Sequence, residues 1–342
     1  MLRALALSIR SAALSALVVG ASCSAPARER SPGLADHHVH VLSPQLVREW
    51  KSIGVPFSKP DEHYVAVDAL LERAQLDAAL LVPMAHFYGN DEFRGALELD
   101  LDAERARVAH ENDYVAAQAA LDPRCAALAS VDLLRPYAFD ELARARRELD
   151  VVGVKLHLRS AGFDPREPSH VEQLERVVAW VASADELLLL HLDVQREDIS
   201  VQDVQRCLDG AFGPHAAARV VIAHMGGSGG FDARTQLVLE ACADWLERER
   251  AQGRPRASFW FDLSAVPLLR ESEGVPPTTP EELEALRRAV RRIGLERLCF
   301  GSDYPVFDPR EHAQALASAL ELSNDEWNRV LAARAVRWPK AR

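Results

Sequence analysis

A chain of 342 residues exceeds a minimal domain, and one (β/α)8 barrel of about 250 residues, with its loops and a leader, uses all of it. Hydrophobic residues at 48% and charged residues at 27% suffice to fill a core and dress a surface, so the mature part reads as one soluble globular domain. A formal net charge of −11 excludes the concentrated basic face that nucleic-acid phosphates require, and no nucleic-acid partner is expected.

At the N-terminus, Arg3 and Arg10 precede an uncharged run rich in Ala, Leu and Val that ends at Cys23. The run is too short to span a bilayer and fits the apolar part of a secretory signal. The segment "VVGASCSAPARERSPG" resembles a bacterial lipoprotein signal, in which Cys23 would be lipidated; ordinary cleavage between Ala21 and Ala25 is the alternative. Residues 1–23 are therefore read as a leader, 24–33 as an exposed linker and 34–342 as the folded domain. The expected location is periplasmic or, through lipidated Cys23, membrane-anchored. Cys125, Cys207, Cys242 and Cys299 form no CxxC pair; burial as small apolar residues is their expected fate, with pairing among Cys125, Cys207 and Cys242 in an oxidising compartment left open.

Beyond the leader, eight short β-rich runs alternate with segments of helical period. In order they are "LADHHVHV", "DAALLVP", "AALASVD", "VVGVKLHL", "LLLLHLDV", "RVVIAHM", "ASFWFDLS" and "RLCFGSD". Helical patterning covers 64–75, 139–149, 171–183, 201–208, 235–250 and 281–293, with a closing helix at 324–336. Eight right-handed βαβ units predict a parallel sheet closed into a TIM-type barrel. A doubly wound open sheet would place a GxGxxG turn after an early strand, and the first run has none.

Strands of such a barrel are buried on both faces, so a His or Asp within one must be hydrogen-bonded or coordinated to offset its desolvation. His38 and His40, two apart with alpha carbons about 6.8 Å from each other, project to one side and can converge on one ion. His191, His224 and Asp303 stand where the fifth, sixth and eighth strands meet their loops, the rim that carries active sites in (β/α)8 enzymes. Lys155 and His157 share one face of the fourth strand and, with His224, are candidates for a second metal or for substrate. Asp262, in the seventh, is expected to bond a neighbouring backbone group. Trp245 and Trp260 fit packing positions.

The motifs "DHHVH", "GVKLHL", "LLLLHLD", "VVIAHMGG" and "CFGSDYP" resemble, in order, the strand-end motifs of the amidohydrolase superfamily, specifically its amidohydrolase-related branch of lactonases and nonoxidative decarboxylases. The resemblance runs from Leu34 to the C-terminus. It implies one divalent metal, zinc first and manganese, iron or cobalt otherwise, held by His38, His40, His191 and Asp303. His224 is similar to a histidine that serves some relatives as a second ligand and others as acid or base. Lys155 looks like the lysine that is carboxylated to bridge two metals in binuclear relatives; alternatively it stays an ammonium that binds substrate or pairs with an acid.

The expected reaction is hydrolysis of an amide, ester or lactone bond of a small molecule, with Asp303 taking the proton of a metal-activated water and His224 assisting. Two alternatives are a nonoxidative decarboxylase of the same superfamily and a non-catalytic binding lipoprotein. Residues 84–102 read as a long loop after the second strand, so His86, Tyr88 and Arg94, with Arg159 after the fourth, are candidate substrate contacts. The glycines of "HMGGSGG" read as a permissive turn beside His224.

Overall fold

The computed structural model describes residues 33–192, 198–256, 258–272, 275–333 and 335–338; the expected leader, the expected lipidation at Cys23 and all of the expected linker but residue 33 lie outside them. All eight predicted strands form: β1 (Ala35–His40), β2 (Ala78–Val82), β3 (Cys125–Ser130), β4 (Val151–His157), β5 (Leu187–His191), β6 (Arg219–Ile222), β7 (Phe259–Asp262) and β8 (Leu298–Cys299). They pair in parallel in the order β1 to β8. The ring closes through backbone bonds from the segment after β8 back to β1: His37 N–H to Phe300 O (3.0 Å), Asp303 N–H to His38 O (2.9 Å) and His40 N–H to Tyr304 O (2.7 Å). The fold is thus a TIM-type barrel with eight parallel strands.

Helices cover the outside: α1 (Pro44–Ser52), α2 (Glu62–Val65), α3 (Asp68–Ala74), α4 (Asp91–Ala96), α5 (Leu101–Ala120), α6 (Ala138–Glu148), α7 (Pro168–Ser183), α8 (Val201–Phe212), α9 (Ala233–Ala251), α10 (Pro280–Ile293), α11 (Pro309–Ala319) and α12 (Asn324–Leu331). The segment expected as one helix over 64–75 is divided, because Ala66 is extended (φ −133°, ψ 136°). Val67, Leu70, Leu71 and Ala74 nevertheless pack in the core as their spacing requires. The four cysteines Cys125, Cys207, Cys242 and Cys299 are free thiols, all buried.

The expectation of a long loop over 84–102 is corrected. That stretch holds a 3-10 turn (Ala85–Gly89), α4 and the start of α5. The 20-residue α5 escapes apolar periodicity because much of its buried face is polar. Asn112 brackets the end of β3, donating to Ser130 O (3.1 Å) and accepting from Ser130 N–H (2.8 Å), and also donates to Glu141 of α6 (2.8 Å). Glu104 accepts both Arg135 Nε–H and Nη2–H at 2.7 Å and the Tyr137 hydroxyl at 2.5 Å. Both Glu111 oxygens accept the Ser43 N–H, at 3.2 and 3.1 Å. Hydrogen bonds, rather than an apolar stripe alone, dock this helix.

Burial pushes the Glu111 carboxyl up to about 7 from its ordinary 4.5, against the opposing pull of the Ser43 bonds. The folded state therefore holds this proton more tightly. The resulting stabilisation is fully present below pH 4.5 and is lost as pH rises through 7. Glu111→Gln removes the titration, so the stability of the Gln variant relative to wild type should rise by about 2–3 kcal/mol between mildly acidic and mildly basic pH. Urea denaturation across that range measures it, and a pH-independent difference would refute the assignment.

Candidate active site

Six imidazoles form an arc along the C-terminal rim. Ring centroids step from His40 to His38 (4.9 Å), His38 to His224 (4.9 Å), His224 to His191 (4.7 Å), His191 to His157 (3.8 Å) and His157 to His86 (5.2 Å). Asp303 joins at the first end, with Oδ1 3.2 Å from His40 Nε2 and 3.8 Å from His38 Nε2. His38, His224 and Asp303 offer ligand atoms all within 4.8 Å of one another. His191 lies one step further along the arc, so the tightest triad contains His224 where the sequence expectation had His191.

Three of these rings have their tautomers set from behind. His40 Nδ1–H donates to Val82 O (2.9 Å), His38 Nδ1–H to Asp262 Oδ2 (2.9 Å) and His224 Nδ1–H to Ser264 O (3.0 Å). Each Nε2 is then a lone pair. His38 Nε2 is buried and makes no hydrogen bond, while His40 Nε2 faces a carboxylate oxygen, acceptor against acceptor. A cluster of three imidazole lone pairs and a carboxylate lacks the positive charge it needs. That deficit fits a divalent cation, and the N/O donor set suits zinc or manganese.

Burial, reinforced by the positive field of Lys155, pushes His38 down to about 3, which keeps it neutral. Burial alone would raise the Asp303 carboxyl, but the His40 contact and the surrounding imidazoles outweigh it and hold it well below the usual carboxylate range. Asp262 behaves likewise, its burial overcome chiefly by His38. Lys155 is 1% exposed; burial lowers it to about 8, with Asp262 and Asp303 pulling the other way.

Asp262 does more than satisfy one backbone group. Besides His38, it accepts the N–H of His224 (2.8 Å) and of Ser264 (3.1 Å), and the Ser264 hydroxyl closes on the same oxygen. Ser264 Oγ lies 3.1 Å from His38 Nδ1 and 2.9 Å from His224 Nδ1. Sequence reasoning missed Ser264; its signal was the i, i+2 spacing from Asp262, which puts both on one side of the chain.

A cavity of about 980 Å³ opens at the other end of the arc, walled by His157, His191, Arg159, Ser160, Phe87 and Phe93 among others. Of the expected substrate contacts, Arg159 lines it. Tyr88 is turned away: it is 1% exposed and its hydroxyl donates to Glu49 (2.6 Å). Arg94 pairs with Asp91 at 2.7 Å, and His86 is buried behind His157 with Nδ1 2.8 Å from Ser130 Oγ.

The Amidohydrolase family profile matches residues 35–337. The chain belongs to the amidohydrolase family. No curated protein matches it in sequence. Among solved structures it resembles 5-carboxyvanillate decarboxylase of Novosphingobium aromaticivorans, complexed with manganese and 4-hydroxy-3-methoxy-5-nitrobenzoic acid (15% identity, TM-score 0.61, covering 92% of this chain and 97% of that one). It also resembles a dihydroxybenzoic acid decarboxylase of Polaromonas sp. with bound manganese and the inhibitor 2-nitroresorcinol (16%, 0.56, 87% and 94%). A third is an amidohydrolase of Burkholderia multivorans with bound zinc (18%, 0.54, 87% and 96%).

These relatives correct the expectation of amide, ester or lactone hydrolysis. The neighbours whose names specify a substrate are decarboxylases of aromatic acids. The physical reason for the error is that the donor set is common to both chemistries, so the motifs point to this superfamily without choosing between attacking a bond with water and releasing carbon dioxide.

If Asp262 holds the tautomer of His38, then Asp262→Asn should weaken zinc or manganese binding by about 10–100-fold. Competition against a chromophoric chelator measures this directly. Unchanged affinity would show Asp262 to be structural only.

Proposed function

We propose that this protein is a nonoxidative decarboxylase that releases carbon dioxide from a small aromatic carboxylic acid, assisted by one divalent metal. The observation that carries the reading is the likeness of the barrel to the aromatic-acid decarboxylases over about nine-tenths of the chain; the acceptor-only cluster of His38, His40, His224 and Asp303 at its rim is compatible with it. His38, His40 and Asp303, with His191 beyond His224 on the arc, would hold the ion and leave His224 Nε2 for the proton. When bound, the ion supplies positive charge to which a substrate carboxylate and an adjacent oxygen are drawn.

The rest falls to the chain's own residues. The carbon–carbon bond to the carboxylate breaks, carbon dioxide leaves without the bonding pair, and the carbon that keeps the pair takes a proton. His224 is suited to carry that proton, because its Nδ1–H stays anchored on Ser264 O while its Nε2 keeps a lone pair to accept and return it. Asp303, held ionised, orients the reacting group. Phe87 and Phe93 on the cavity wall offer apolar surface for a ring, and 980 Å³ lies at the upper end of the range for small-molecule sites.

Two measurements test this reading. Incubation of the metal-loaded enzyme with hydroxylated benzoates in deuterated water should release carbon dioxide and place deuterium at the vacated carbon, and His224→Ala should lower kcat by about 10²–10⁴-fold. Solvent oxygen appearing in the product without carbon dioxide would sink the proposal. We also infer export through residues 1–23, a reading that rests on sequence alone. Intact-mass analysis of the protein from its native membrane fraction should show a chain beginning at Cys23 with added acyl mass, whereas a full-length chain in the cytoplasm would refute export.

A further inference from the structure

His157 stands in the same arc as the clustered imidazoles, yet its ring is wired the opposite way. Its Nδ1 accepts the backbone N–H of Ser160 at 3.3 Å, so in the neutral ring the proton sits on Nε2. The wiring is built. Asn90 caps α4 by accepting Glu92 and Phe93 N–H at 3.1 Å each, and its Nδ2–H donates to Ser160 O at 2.8 Å. The 3-10 turn and α4 thereby fix the turn after β4 that presents Ser160 N–H to His157. Stacking on His191 at 3.8 Å and 31°, and an edge contact with Phe87 at 5.9 Å and 72°, hold the ring on both sides.

Ser160 adds a second unspent group on the same wall. Its Oγ is buried and has no hydrogen-bond partner. His157 and Ser160 both line the cavity, and no side chain among the described residues accepts from His157 Nε2–H. An unmet donor on a half-dry wall is costly unless a ligand meets it.

We propose that His157 Nε2–H and Ser160 Oγ–H form a subsite that donates to an oxygen substituent of the substrate, a hydroxyl, phenolate or second carboxylate, and that His157 is not a ligand of a second metal. The subsite rests on the decarboxylase reading for its ligand class and on geometry alone for its wiring. It divides the site into an acceptor half, where the cation belongs, and a donor half, where the substrate's remaining oxygen belongs. A substrate lacking that oxygen leaves two donors unpaired, so the subsite sets specificity.

The tautomers can be read directly in protein labelled with nitrogen-15 histidine, using nitrogen–proton correlations through two bonds and assigning His157 by difference from His157→Gln. His157 should show a protonated Nε2 in both metal-free and zinc-loaded protein, while His38 and His40 show protonated Nδ1 and Nε2 signals that move on adding zinc. A protonated Nδ1 on His157, or a zinc-dependent shift of its Nε2, overturns the proposal. Calorimetry with 2-nitroresorcinol supplies the binding arm. His157→Leu and Ser160→Ala should each weaken binding about 10-fold with zinc content unchanged, and His157→Gln, which keeps a donor, should recover to within about three-fold of wild type. Wild-type affinity in both His157→Leu and Ser160→Ala overturns the donor role. Failure of the wild type itself to bind 2-nitroresorcinol would refute the aromatic-acid reading instead, and the tautomer spectrum would then decide the wiring of His157 separately.

Discussion

A carboxylate sealed inside a barrel costs several kcal/mol unless hydrogen bonds replace the water it lost. Asp262 meets that requirement by drawing on three parts of the rim: the imidazole of His38 from β1, the backbone N–H of His224 after β6, and the N–H and hydroxyl of Ser264 after β7. The site's order follows from this one buried charge. His38 is turned so that its lone pair faces Asp303, and the turn carrying His224 is fixed at its N–H. Loss of the Asp262 charge would leave these loops without their common anchor, even though Asp262 touches no substrate in the proposed chemistry.

The rim also carries backbone strain. His224 (φ 50°), Met225 (φ 55°), Ala265 (φ 52°) and Asp303 (φ 60°) all occupy the left-handed region without being glycine, at a cost on the order of 1 kcal/mol or more each. These residues follow β6, β7 and β8 in turn. A strand that continued in extended conformation would carry alternate side chains away from the barrel mouth; the left-handed residue bends the chain at that point instead. The bonds from His224 N–H to Asp262 and from Asp303 N–H to His38 O offset the strain locally. Cost and compensation thus sit on the same few residues.

Much of this was legible in the sequence, and the part that was not has a physical explanation. The eight strands could be read because parallel strands buried on both faces are continuous apolar β-rich runs, and "LLLLHLDV" admits no other barrel role. His38, His40, His224 and Asp303 stood out as polar residues where such strands end. By contrast, α5 was hidden because Glu104, Glu111 and Asn112 face inward and bond to other elements, which erases the apolar stripe. Tautomers were beyond reach for a related reason. They are set by Val82 O, Ser264 O and Ser160 N–H, backbone groups that look the same whatever side chain they carry. Tyr88 misled because an aromatic hydroxyl in a rim segment resembles a substrate contact until its bond to Glu49 is seen.

The opposition of tautomers along one arc bears on which chemistry the rim can serve. Lone pairs on His38, His40 and His224, with the Asp303 carboxylate, concentrate negative potential where a cation belongs; N–H and O–H groups on His157 and Ser160 turn positive edges toward the cavity a few ångströms away. A substrate with two oxygen groups on one rigid frame meets both demands at once, one group on the cation and one on the donors, and is thereby held in a single orientation. An incoming water needs only the first half. The donor half is superfluous for activating water but serves to orient a ring whose carboxylate must stand where its carbon–carbon bond can break, and on this physical ground the wall at His157 and the decarboxylase reading support each other.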